Sequence, residues 1–184
     1  MPVLKLRPLE SKAGTEFDKR RGGDMMELPK RVEDMVLSLT LETHVKASLE
    51  ATFASLLEEM GPGFETNEGR SLQMKIEAWP GGRWYRDLGE KDGHFWGHVQ
   101  AIKRPTLLEI SGPLFASYPF VSNLQYRLTE EKGGTLITLR HTALGFIEEQ
   151  HRKGISSGWG HHLDRVKKLA EASPSRAAAG SQAK

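Results

Sequence analysis

The sequence predicts an α+β fold: a curved antiparallel sheet of six or seven strands packed around one long C-terminal helix. Three observations lead there. Apolar, β-prone segments repeat through residues 80–142, and Gly81-Gly82, Asp92-Gly93 and Gly133-Gly134 divide them, the short Gly-containing pairs that reverse a chain between antiparallel strands. After them comes a helix whose apolar residues Ile155, Trp159, Val166 and Leu169 recur near a 3.6-residue period. Such a stripe cannot be hidden by the helix alone, so it must lie against the sheet.

Each element follows from local pattern. In residues 36–43, Leu37, Leu39 and Leu41 alternate with polar partners, as a half-buried strand requires. Residues 45–60 read as a helix with Leu49, Phe53, Leu56, Leu57 and Met60 along one face, and Gly61, Pro62 and Gly63 end it. Leu72, Met74, Ile76 and Ala78 then alternate with Gln73, Lys75 and Glu77. Further strands are expected over residues 83–87, 94–102, 107–111, 122–128 and 135–142, and the final helix begins near Glu148. The short connections imply antiparallel pairing throughout.

At 184 residues, with 38% apolar and 27% charged residues, the chain suits one soluble domain with tails. We divide it into an N-terminal extension (1–33), a domain (34–172) and a disordered Ala/Ser/Gly-rich tail (173–184). Leu4, Leu6, Leu9, Met25, Met26 and Leu28 give the extension apolar groups for docking, and it is a candidate homodimer contact. A balance of 26 basic and 24 acidic residues supplies no strong field for nucleic acid. The absence of cysteine excludes disulfides, thiol catalysis and Cys-ligated zinc. No apolar run has the length of a signal peptide or membrane span, so the expected location is the cytoplasm.

Four short motifs, in order, add a resemblance. Pro80-Gly81-Gly82-Arg83-Trp84; Gly97-His98-Val99; Gly134-Thr135 with Leu139 and His141; and Gly158-Trp159 with Leu163 together resemble the START-like SRPBCC superfamily over residues 36–169. The branch they are most similar to shares homology with the C-terminal domain of the activator of Hsp90 ATPase. The resemblance implies a helix-grip (START/Bet v1-like) fold, with an elongated cavity between sheet and C-terminal helix. It implies no single function, because that superfamily holds lipid carriers, hormone receptors, polyketide cyclases, oxygenase domains and co-chaperones.

The candidate chemistry is sparse. His141 is in phase with Ile137 and Leu139, so it points to the inner face, where an imidazole can bond a ligand oxygen or act as acid or base. The alternative is a core histidine bonded to a carbonyl or hydroxyl. Trp84, Trp96, Tyr126 and Trp159 are rigid and amphipathic, suited to lining a pocket or filling a core. Trp159 is read as core, with Gly158 beside it letting helix and sheet approach closely. Phe115, Tyr118 and Phe120 form an aromatic loop placed to gate or cap a cavity. His94, Trp96 and His98 alternate onto one strand face, but His161 and His162 are about 100° apart on a helix and cannot converge on a metal. No phosphate-cradling loop or paired inward carboxylates are evident, and no cofactor or metal is expected.

The leading expectation is a protein that binds a small hydrophobic or amphipathic molecule, with Leu39, Phe53, Trp84, Trp96, Phe115, Tyr118, Tyr126, Leu139 and His141 as ligand-binding residues. An enzyme acting on an aromatic or polyketide-like substrate, with His141 as acid or base, is the first alternative. A co-chaperone-like interaction module is the second, set lower because no copy of that co-chaperone's separate N-terminal domain is recognisable.

Overall fold

The computed structural model describes residues 31–66 and 68–173. Nearly all of the extension and of the C-terminal tail, with the dimer contact assigned to the former, lies outside the described residues. Seven strands form one antiparallel sheet in the order β1-β7-β6-β5-β4-β3-β2. They are β1 (Val36–Val45), β2 (Met74–Ile76), β3 (Arg83–Gly89), β4 (Asp92–Lys103), β5 (Leu107–Gly112), β6 (Phe120–Glu131) and β7 (Gly134–Gly145). Two helices, α1 (Leu49–Met60) and α2 (Glu149–Ala172), complete the helix-grip fold. No described helix is long and apolar enough to cross a membrane.

The inner face is set by alternation. On β7, Thr135, Ile137, Leu139, His141 and Ala143 are buried, and on β6 Phe120, Ser122, Leu124, Tyr126 and Leu128 are buried opposite them. Each polar residue between them faces out, as a period of two demands. From α2, Ile155, Trp159, His162, Leu163, Val166 and Ala170 meet this surface. His162 replaces Leu169 in the expected stripe; Leu169 is only half-buried.

Three local expectations are corrected. The first helix begins at Leu49, not at residue 45, because Val45 is still paired with Thr135 and Ser48 Oγ caps the helix by accepting from the Ala51 N–H. The turn between β3 and β4 is made by Glu90 and Lys91, at φ +50° and +73°, while Asp92-Gly93 already belongs to β4. His94, Trp96 and His98 do not share one face. Trp84 pairs with Gly97 and Tyr85 with Phe95, so Trp96 is the extra residue of a β-bulge. The bulge turns Trp96 inward and leaves His98 exposed, with Nδ1 bonded to the Gly81 carbonyl at 3.1 Å.

Candidate functional site

A cavity of about 400 Å³ lies along one flank of α2. Its helix wall is Gln150, His151, Gly154, Ile155, Gly158, Trp159, His161, His162 and Arg165. Facing it are Glu59 at the end of α1, the segment carrying Phe64, Glu65, Thr66 and Leu72, the bulged Trp96, and Phe115 from the loop after β5. That volume falls within the range of roughly 300–1,000 Å³ typical of small-molecule sites, and the walls are largely aromatic and aliphatic.

Two glycines keep the helix wall bare. Gly154 and Gly158 are one turn apart, and a Cβ built on either meets no other side chain or element among the described residues within 4 Å. The close approach to the sheet expected of Gly158 is therefore corrected: the position faces open space. A mid-helix glycine is destabilising by about 1 kcal/mol relative to alanine, and here no packing constraint demands it.

The aromatic lining is a connected cluster. Phe64 stands edge-on to both Trp84 and Trp96, with ring centroids 5.8 and 5.5 Å away, and the two indoles are 4.8 Å apart. Phe115 reaches Trp96 at 6.2 Å and His151 at 5.5 Å. The Tyr118 hydroxyl is hydrogen-bonded to His151 Nδ1 at 2.8 Å, which ties the loop to the start of α2. Burial pushes the Tyr118 phenol above its ordinary pKa.

At the rim, Arg165 is fully engaged. It donates from Nε to Glu59 Oε2 at 2.9 Å, from one terminal nitrogen to Glu65 Oε2 at 2.8 Å, and from the other to the Gly63 carbonyl at 2.9 Å. The hydrogen bond to Glu59, before any other influence, holds its pKa above the ordinary value. His162 is buried beside Phe64 and Tyr126; burial, then the charge of Arg165, lowers its pKa to about 3, so the ring is neutral at physiological pH.

His141 belongs to a different network. An indole N–H can only donate, so the 3.0 Å bond from Trp159 Nε1 makes His141 Nδ1 the acceptor. The ring proton is then on Nε2, which donates to Ser122 Oγ at 3.0 Å. In that tautomer His141 is not a base toward Ser122, and burial lowers its pKa to about 4.

The residues singled out in the sequence divide accordingly. Trp96 and Phe115 line the cavity. Phe53, Trp84, Tyr126, Leu139 and His141 are buried in the core, Leu39 packs against it from β1, and Tyr118 holds the loop. Phe64, Leu72, His162, Arg165 and the glycine pair were missed. The spacing of Gly154 and Gly158 on one helix face was the readable signal for the pair; nothing in the pattern marks Phe64.

Comparison with known proteins agrees with the fold. No curated protein matches the chain. Among solved structures, an uncharacterised protein from Rhizobium leguminosarum matches with a TM-score of 0.59 at 19% identity, over 75% of this chain and 96% of that one. CalU16 from Micromonospora echinospora matches with a TM-score of 0.52 at 22% identity, over 73% and 76%. The di-domain ARO/CYC StfQ from the steffimycin biosynthetic pathway matches with a TM-score of 0.55 at 14% identity, over 76% of this chain and 52% of that one. The family model described as activator of Hsp90 ATPase homolog 1-like protein matches residues 69–171. With its fold and this match together, the chain belongs to the activator of Hsp90 ATPase homolog 1-like family of the START-like SRPBCC superfamily.

Proposed function

We propose that this protein binds a small hydrophobic or amphipathic molecule in the cavity beneath α2. The observation that carries the reading is the bare helix wall. Gly154 and Gly158 face a space of about 400 Å³ that none of the described residues fills. The space is open to solvent and large enough for water, so an apolar guest gains by removing the aromatic and aliphatic lining from water. Ring faces from Phe64, Trp96 and Phe115 suit a flat or elongated body.

The enzymatic alternative through His141 has less support. Both ring nitrogens are committed within the core, and His141 does not line the cavity. An interaction role like that named for the family has one observation in its favour: Val36, Leu144 and Val121 are exposed apolar neighbours across β1, β7 and β6.

Binding of Nile red, an uncharged environment-sensitive dye, tests the reading on the full chain. One equivalent should bind, and Gly158→Leu should weaken it at least about tenfold, since about 1.4 kcal/mol of lost contact suffices. The same variant should melt no lower than the parent, because leucine favours the helix and its Cβ meets no neighbour. Binding unchanged by this plug would place the dye elsewhere and sink the proposal.

A further inference from the structure

The cavity wall carries polar groups of two kinds, those within an occupant's reach and those sealed from it. Trp96 Nε1 and His162 Nε2 have no partner among the described residues, but both are completely buried and present nothing to the space. Arg165 is spent, its donors going to Glu59, Glu65 and the Gly63 carbonyl. Gln150 and His161 also line the space, and no side-chain hydrogen bond among the described residues orients either.

His151 combines reach with order. Its ring stacks on Tyr118, with centroids 5.7 Å apart and planes at 22°, and stands edge-on to Phe115 at 5.5 Å. The Tyr118 hydroxyl bonds Nδ1 at 2.8 Å, and a Glu148 carboxylate oxygen approaches the same nitrogen at 3.8 Å. With the phenol donating to Nδ1, the proton of the neutral ring sits on Nε2. That Nε2 bonds no described residue and, unlike Nε2 of His162, is not completely buried, so it stays open to an incoming acceptor.

Helix spacing sets the rest. His151, Gly154 and Gly158 fall at i, i+3 and i+7 on one face of α2. A molecule bonded at His151 has the bare glycine wall directly ahead of it, with Phe64, Leu72 and Trp96 across the space. From His151 to Arg165 this wall extends about 21 Å, at the helical rise of about 1.5 Å per residue.

Resting on the binding function proposed above, we infer that His151 is the polar anchor of the site. Its Nε2–H donates to a keto, ether or hydroxyl oxygen at one end of an elongated amphiphile, whose apolar body lies over Gly154 and Gly158. The head sits beside the loop carrying Phe115 and Tyr118, and the tail points toward Arg165. Tyr118 is a positioning residue: it holds the imidazole in place, so less side-chain freedom is lost when the occupant bonds.

Displacement of Nile red from the full chain at pH 7.5 tests this with two competitors of similar shape, 2-acetylnaphthalene and 2-ethylnaphthalene. The readout is the ratio of their affinities, which a general change in cavity shape leaves alone. In His151→Phe the ratio should move at least about fivefold toward the hydrocarbon, the scale of one net hydrogen bond. His151→Gln keeps an N–H of similar reach and should retain most of the parent ratio. Tyr118→Phe keeps the ring but removes the orienting hydroxyl, and should move the ratio the same way by about twofold or more. A ratio unchanged in His151→Phe or Tyr118→Phe, or shifted as far in His151→Gln as in His151→Phe, overturns the inference while leaving cavity binding intact. Failure of both competitors to displace the dye from the parent overturns cavity binding, and the inference with it.

Discussion

The two flanks of α2 make a controlled comparison. Toward β6 and β7 the helix meets a solid core in which Trp159, His141 and Ser122 form a continuous hydrogen-bonded chain. Toward β4 and the segment around Phe64, it meets a cavity, bare glycines and buried polar atoms without partners among the described residues. Trp159 stands on the boundary: it lines the cavity and donates into the packed network. One helix thus supports two kinds of interface. The packed flank spends its polar groups on one another and is stabilised by them. The open flank leaves buried groups unpaired among the described residues, and gives up stability to do so.

The largest expected effect falls on the boundary residue. Trp159→Ala should destabilise by about 3–5 kcal/mol, as large-to-small core changes do, because it deletes a buried indole and frees His141 Nδ1. Chemical denaturation measures this. A loss below about 1 kcal/mol would mean that the packed flank is not packed as described.

Acid should act through His141 and His162. Both have folded pKa values below the ordinary 6.5, at about 4 and about 3. Between those values and 6.5 the unfolded chain binds protons that the native chain does not. The stabilisation is therefore complete above pH 6.5 and is lost as pH falls. The slope should approach about 1.4 kcal/mol per pH unit for each histidine. Denaturation midpoints measured from pH 7.5 to 4.5 should decline steadily below 6.5; a flat profile would contradict the buried, neutral state of these rings.

Smaller effects sharpen the contrast between the flanks. Ser122→Ala removes the acceptor for His141 Nε2 and should cost about 1–3 kcal/mol, the penalty of an orphaned buried donor. On the open flank, Gly154→Ala should instead stabilise by about 0.5–1 kcal/mol, since a Cβ there touches nothing and alanine favours the helix. Thermal melts of the two variants should move in opposite directions. A destabilised Gly154→Ala would show that this wall is closely packed after all.

The fold was legible because alternation carries it. Leu37 on β1, and Ile137, Leu139 and His141 on β7, all face inward as their period of two requires. The site was less legible, for three physical reasons. The bulge at Trp96 shifts strand phase by one residue and has no signature in the local sequence, so Trp96 and His98 could not be told apart as inner and outer. A glycine in a helix fits either close approach or open space, and only the neighbouring elements decide, as at Gly158. His162 occupies a buried position on α2 that a search for apolar residues passes over. That Trp96 has no acceptor among the described residues while Trp84 and Trp159 have one depends on carbonyls and rings distant in sequence, which no local pattern encodes.

The indole N–H signals of the full chain, followed by ¹⁵N–¹H nuclear magnetic resonance while 2-acetylnaphthalene is added, test the central claim most directly. Trp84, Trp96 and Trp159 are all buried, but only Trp96 has a donor without a partner among the described residues. The Trp96 signal, assigned by its loss in Trp96→Phe, should move further than that of Trp84, because the Trp96 ring lines the cavity and Trp84 does not. A stationary Trp96 signal at saturating ligand, or larger movement of Trp84, would contradict the assignment of the open flank of α2 as the binding site.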